Sequence, residues 1–207
     1  GTTYSTAIPQ GTDAKEYTIY YKEDNLGIAN SLKVTIAPKT VSSPTISLSE
    51  TTCSYDGTAK EPTVTVKDGS STIPSAEYTV SYTNNTEVGT ATVTITDKEG
   101  GNYIVSGSTS FTICRAIKDI FKGSDLWAGY VAQEDLAVPT GLTAFVITSL
   151  ANSPATASQI TYIPQGVPVL LKRDNADANS FEASPGTGTS PTTNLLKAYT
   201  TDKTVAN

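Results

Sequence analysis

Among the residues that could do chemistry, two groups of carboxylates come first. One is the adjacent pair Glu134-Asp135, and the other is the loop carrying Asp174, Asp177 and Glu182. Cleavage of a glycosidic bond needs only two carboxyl groups, one acting as acid and one as base or nucleophile. Neighbouring carboxylates on a strand point to opposite faces, however, and acidic loop residues are ordinarily just solvated. The chain has no histidine. That removes the commonest general base near neutral pH, the commonest transition-metal ligand, and nucleophilic catalysis of the Ser/His or Cys/His kind in its usual form. The residues argue for a non-catalytic protein and imply no cofactor.

A metal reading rests on Arg173-Asp174-Asn175-Ala176-Asp177-Ala178-Asn179-Ser180, where Asn175, Asp177 and Asn179 follow the alternating ligand spacing of a calcium loop. Ser180 stands where such a loop requires glycine, and Gly186 where it requires a bidentate glutamate. The EF-hand pattern therefore fails, leaving an irregular site or a plain polar loop.

A sugar ring would be held by an exposed aromatic face. The candidates are Trp127, Tyr130 and Tyr20. Trp127 and Tyr130 are three residues apart in a strand-like segment, so they face opposite ways. Trp127 reads as a core anchor of its domain, and Tyr20 as the better exposed aromatic. Cys53 and Cys114 fall near the first and last strands of one domain, where a bridge is geometrically open. Against it, Phe111 and Ile113 point inward, which puts Cys114 on the other face; spacing alone leaves the pairing undecided. Asn84-Asn85-Thr86 fits the glycosylation pattern, but as turn residues the asparagines already have a sufficient role.

The elements that must position these residues are strands. In Gly89-Thr90-Ala91-Thr92-Val93-Thr94-Ile95-Thr96, Ala91, Val93 and Ile95 share one face, and β-branched threonines wet the other. Similar alternation recurs at 17–21, 32–36, 45–48, 63–66, 78–82, 103–105 and 110–114. Further along it recurs at 127–131, 142–148, 159–162, 167–172, 181–183 and 195–199. Turn pairs such as Asp56-Gly57, Asp68-Gly69 and Gly100-Gly101 separate them. This spacing predicts an all-β chain of antiparallel sandwiches. The best helix candidate, 116–121, is about one turn long. Core candidates are Ile46, Leu48, Tyr55, Val64, Val66, Tyr78, Val80, Tyr82, Ala91, Val93, Ile95, Phe111 and Ile113.

Composition bounds the partners. Twenty acidic residues against 14 basic ones leave a net charge of −6, which disfavours nucleic acid and anionic membrane surfaces. No apolar run approaches a membrane span. Charged residues make up 16% of the chain, a low share typical of extracellular β-proteins. Methionine is absent too, so Gly1 reads as a scar or the first residue of an excised piece.

Ser54-Tyr55-Asp56-Gly57-Thr58-Ala59, Glu77-Tyr78-Thr79-Val80-Ser81-Tyr82-Thr83-Asn84-Asn85, Val88-Gly89-Thr90-Ala91 and Ser110-Phe111-Thr112-Ile113 resemble the bacterial Ig-like repeats found in tandem in large surface proteins of gut bacteria. The resemblance covers nearly all of 41–116. Residues 1–40 resemble the second half of a preceding repeat, joined through the Pro-bearing segment 37–44. Residues 117–207 resemble the C-terminal β-domain of the same kinds of secreted protein, with its last sheet truncated. The resemblance implies Ig-like antiparallel β-sandwiches followed by a second small β-sandwich, on the cell surface, anchored through regions not present here. It carries no catalytic residues. The expected function is adhesion or a structural stalk. The alternative is a carbohydrate-binding accessory module with its specificity in 117–207. Partners would be a host or cell-surface protein or a glycan, with no nucleic acid and no membrane insertion by this segment.

Overall fold

A computed structural model describes residues 10–22, 29–151 and 154–197. Its strands in chain order are β1 (Glu16–Lys22), β2 (Ala29–Thr35), β3 (Lys39–Thr40), β4 (Thr45–Leu48), β5 (Thr52–Ser54), β6 (Val64–Asp68), β7 (Ser71–Thr72), β8 (Tyr78–Thr83) and β9 (Gly89–Asp97). They continue with β10 (Tyr103–Ile104), β11 (Gly107–Lys118), β12 (Trp127–Val131), β13 (Leu136–Ala137), β14 (Leu142–Ser149), β15 (Thr156–Ile160), β16 (Tyr162–Ile163), β17 (Pro168–Arg173) and β18 (Ser180–Ala183). The one helical element among the described residues is a 3₁₀ turn at Ser75–Glu77. No helix there is long and apolar enough to cross a membrane. The chain is all-β, as the alternation predicts. The one-turn helix candidate at 116–121 is not helical, because β11 runs unbroken to Lys118 and pairs there with β18.

The chain divides into two compact units that are not consecutive stretches of sequence. The first takes Gly1–Ser49, Pro62–Thr83 and Thr92–Thr109; the second takes Glu50–Glu61, Asn84–Ala91 and Ser110–Asn207.

In the first unit, β4, β6 and β7 form an antiparallel sheet, and β8 pairs with β9 so that Val80 opposes Ile95 and Tyr82 opposes Val93. Val66, Ile73, Tyr78, Val93, Ile95 and Val105 are buried. The hydroxyl of Tyr82 donates to the carbonyl of Pro62 at 2.7 Å, which satisfies its polar tip inside the apolar contact. Val80, expected in the core, is 37% exposed. It lies on β8, which pairs with β9 alone, so one flank of its side chain stays open. Ile73 is buried although its neighbours show no alternation; its amide donates to the Val66 carbonyl and draws it inward.

The β1–β2 hairpin is a separate two-stranded sheet pairing Tyr17 with Val34 and Ile19 with Leu32. Leu32 and Tyr21 remain 55% and 45% exposed. The hairpin is tied back where the Ala14 amide donates to Asn102 Oδ1 and the Asn102 amide donates to Glu77 Oε2, both at 2.6 Å.

In the second unit, β11 pairs in parallel with β5 and antiparallel with β18. A four-stranded antiparallel sheet has the order β12-β17-β14-β15, and β13 pairs with β16. Ile117, Leu136, Ala144, Val146, Ile163, Val169, Leu171 and Phe181 build its core. Gly186 lies where a Cβ would collide with the backbone of Leu136 and Ala137, so this crossing requires glycine. The expected strand at 195–199 is absent over 195–197; the Leu195 amide instead donates to the Ile147 carbonyl. Residues 198–199 lie outside the described residues.

Two substitutions separate core from rim. Ile95→Ala should cost about 2–5 kcal/mol, because it opens a cavity in packed surroundings. Val80→Ala should stay within about 1 kcal/mol, because its side chain is already partly wet. Urea unfolding followed by circular dichroism checks both.

Candidate functional site

Alternation in the β12-β17-β14-β15 sheet decides which side chains reach solvent. Val169, Leu171 and Arg173 of β17 and Leu142, Ala144 and Val146 of β14 are buried, and Ala128 and Tyr130 of β12 pack against the same core. The intervening residues therefore share the opposite face. Registration places them in rows. Trp127, Lys172 and Thr143 lie abreast, followed by Gly129, Leu170 and Phe145.

Trp127 is 48% exposed, which corrects its expected role as a core anchor. Its partner across the ladder is Lys172, whose two neighbours Leu171 and Arg173 are the inward residues. Aromatic filling of the core comes instead from Phe121 and Phe181, edge to face at 6.0 Å, and from half-buried Tyr130. The Trp127 ring lies 5.4 Å from the Phe145 ring at 47°, and Lys172 Nζ lies 5.9 Å from the Trp127 centroid. Above Gly129 a Cβ would meet nothing within 4 Å, so the surface beside Trp127 is open. Further along β12, a cleft of about 280 Å³ is lined by Gly129, Val131, Pro168, Leu170, Leu196 and Lys197, among others. The result is an aromatic shelf running into a shallow apolar cleft.

Arg173 anchors this shelf from beneath. It is 1% exposed, and its guanidinium donates to three carbonyls: Asp125 at 2.8 Å, Ala178 at 2.8 Å and Gly123 at 2.6 Å. Its plane lies 4.8 Å from the centroid of the Phe121 ring. Its backbone amide donates to Leu126, the residue before Trp127. Five fixed donors allow one buried arginine to bond three loop carbonyls at once.

The other candidates take separate places. Tyr20 is on β1 of the first unit and 67% exposed. Tyr130 faces the core side of the sheet, where burial, reinforced by the Glu134 carboxylate, raises its phenol above the ordinary value. Asn175, Asp177 and Asn179 are exposed. Asn175 Oδ1 accepts the Asp177 amide at 3.0 Å, so it caps the turn, and Arg173 takes the Ala178 carbonyl. No group of three His, Cys, Asp or Glu side chains converges among the described residues. Glu134 receives a two-pronged bond from Arg115, Asp135 accepts the Gln165 amide, and Glu182 accepts the Ser54 hydroxyl. Each of these carboxylates joins elements of the fold.

Cys53 and Cys114 are buried free thiols. Cys53 opposes Ile113 across the β5–β11 ladder, and Cys114 is the next residue, so it projects from the other face. Burial pushes both thiols up, helped by Glu50 at Cys53 and by Glu182 at Cys114.

Phe145, Lys172 and Arg173 are site residues that no sequence motif marks. The alternation Val169, Leu171, Arg173 was the available signal, because it sends the arginine inward and the lysine outward. No family model, curated protein or solved structure matches the chain.

Two outcomes are expected. Arg173→Met should destabilise the protein by about 3 kcal/mol, because a buried guanidinium and its three hydrogen bonds to loop carbonyls are lost; Arg173→Lys should recover a minor part in the same urea titration. A maleimide or disulfide reagent should modify neither cysteine in the native protein and both in denaturant. Native labelling at the rate of a free thiol would contradict the burial.

Proposed function

We propose that this chain is a non-catalytic β-module of a bacterial surface protein, whose second unit holds a glycan by stacking a sugar ring on Trp127. The observation that carries the reading is Trp127 itself. It is half exposed beside Phe145 on the outer face of the sheet rather than spent on the core. A large apolar ring held in water by a rigid ladder offers contact area to the C–H face of a sugar at little entropic cost.

The surface setting and the Ig-like character of 41–116 rest on the sequence resemblance. A stalk role for the first unit is supported by its wetted threonines, such as Thr79 and Thr96, whose hydroxyls meet across β8 and β9 at 2.5 Å. Of the candidate carboxylates, Glu134, Asp135 and Glu182 are tied into the fold, which supports binding without chemistry.

The test is calorimetry or array binding of the intact protein against a glycan panel, beside Trp127→Ala. At least one glycan should bind, and the substitution should weaken it about 10-fold, the equivalent of one stacking contact. Absence of any bound glycan, or a variant that binds as well as the wild type, contradicts the reading.

A further inference from the structure

The shelf on β12 has a charge pattern that names the kind of sugar it suits. Along the strand, Trp127 and Val131 are four residues apart, or about 13 Å at the rise of an extended chain. Lys172 stands beside Trp127 at one end. Lys197 lines the cleft with Val131, Pro168 and Leu196 at the other end. Neither lysine is in an ion pair among the described residues, whereas Lys15, Lys33, Lys39, Lys60 and Arg115 each meet a carboxylate. The residues lining the cleft include no aspartate or glutamate. In a chain of net charge −6, two ammonium groups outside ion pairs and a cleft lining without carboxylates are complementary to a negative ligand, with the exposed Asp125 and Asp174 lying past the Trp127 end of the shelf. Its apolar floor is suited to the ring faces of that ligand rather than to free ions.

Resting on the glycan-binding reading above, we propose that the ligand is a linear carboxylated polysaccharide built from uronic acid units. One ring stacks on Trp127 with its carboxylate paired to Lys172. The chain continues over Gly129, where no side chain obstructs it. It then enters the cleft, where Lys197 pairs with a second carboxylate. The lysines act as point charges that tolerate rotation of the carboxylate about the ring. Selectivity comes from charge, and baseline affinity comes from stacking.

The experiment titrates the intact protein with polygalacturonate, alginate and hyaluronate oligomers, each compared with its methyl-esterified, uncharged form. A carboxylated oligomer should bind at least about fivefold tighter than its ester, the scale of an exposed ion pair. Lys172→Gln and Lys197→Gln should each narrow that gap without weakening the ester, and added salt should narrow it too. Trp127→Ala should weaken both forms alike. If ester and acid bind equally and Trp127→Ala weakens both, the charge assignment is overturned while the stacking reading survives. If binding of an acid form ignores Trp127→Ala, the site is elsewhere and both fall. If no acid form binds, the proposal is overturned, and binding of a neutral glycan through Trp127 then keeps the stacking reading alone.

Discussion

The buried guanidinium of Arg173 is the constraint on which the recognition face depends. It ends β17 on the core side and satisfies carbonyls from two loops, at Gly123 and Asp125 before β12 and at Ala178 after β17. An inward Arg173 forces Lys172 outward, and the ladder then forces Trp127 outward beside it. A slip of one residue in this register would exchange the faces: Trp127 would enter the core and the arginine would lose its carbonyls. The charge is buried without a carboxylate partner among the described residues. Such an arrangement is sustained by hydrogen bonding of the guanidinium, which ties both loops to the end of β17.

The first unit obeys the same physics with a different outcome. Glu16-Tyr17-Thr18 opens β1 as Glu77-Tyr78-Thr79 leads into β8, and both strands belong to antiparallel hairpins. Around β8 and β9, Tyr78, Val93 and Ile95 are buried. On β1 and β2 the comparable apolar residues stay partly in water, as Leu32 and Val34 show. Two strands alone cannot enclose an apolar face, so this hairpin leans on its tie through Asn102 and Glu77 rather than on a core of its own.

The strand pattern was legible because period-two burial is a local property. Ala91, Val93, Ile95, Phe111 and Ile113 are buried as their alternation predicts. What escaped the sequence depends on which neighbour covers which face. Trp127 reads as a core anchor from its own segment, but its orientation is set by Lys172 and Arg173, some 45 residues away in the chain. Cys114 is buried on the face of β11 that alternation marks as outer. The apolar residues at 116–121 read as a turn of helix, yet β18 supplies a strand partner that local propensity cannot reveal. The shelf followed from register alone, and its residues carry no motif.

Because the chain has a single tryptophan, its fluorescence reports directly on the claim that β12 presents Trp127 to solvent. Emission from the native protein should be red-shifted and readily quenched by acrylamide and iodide, approaching the behaviour of the unfolded chain. A blue-shifted band protected from both quenchers would place the indole in the core, invert the register of β12 against β17, and contradict the account.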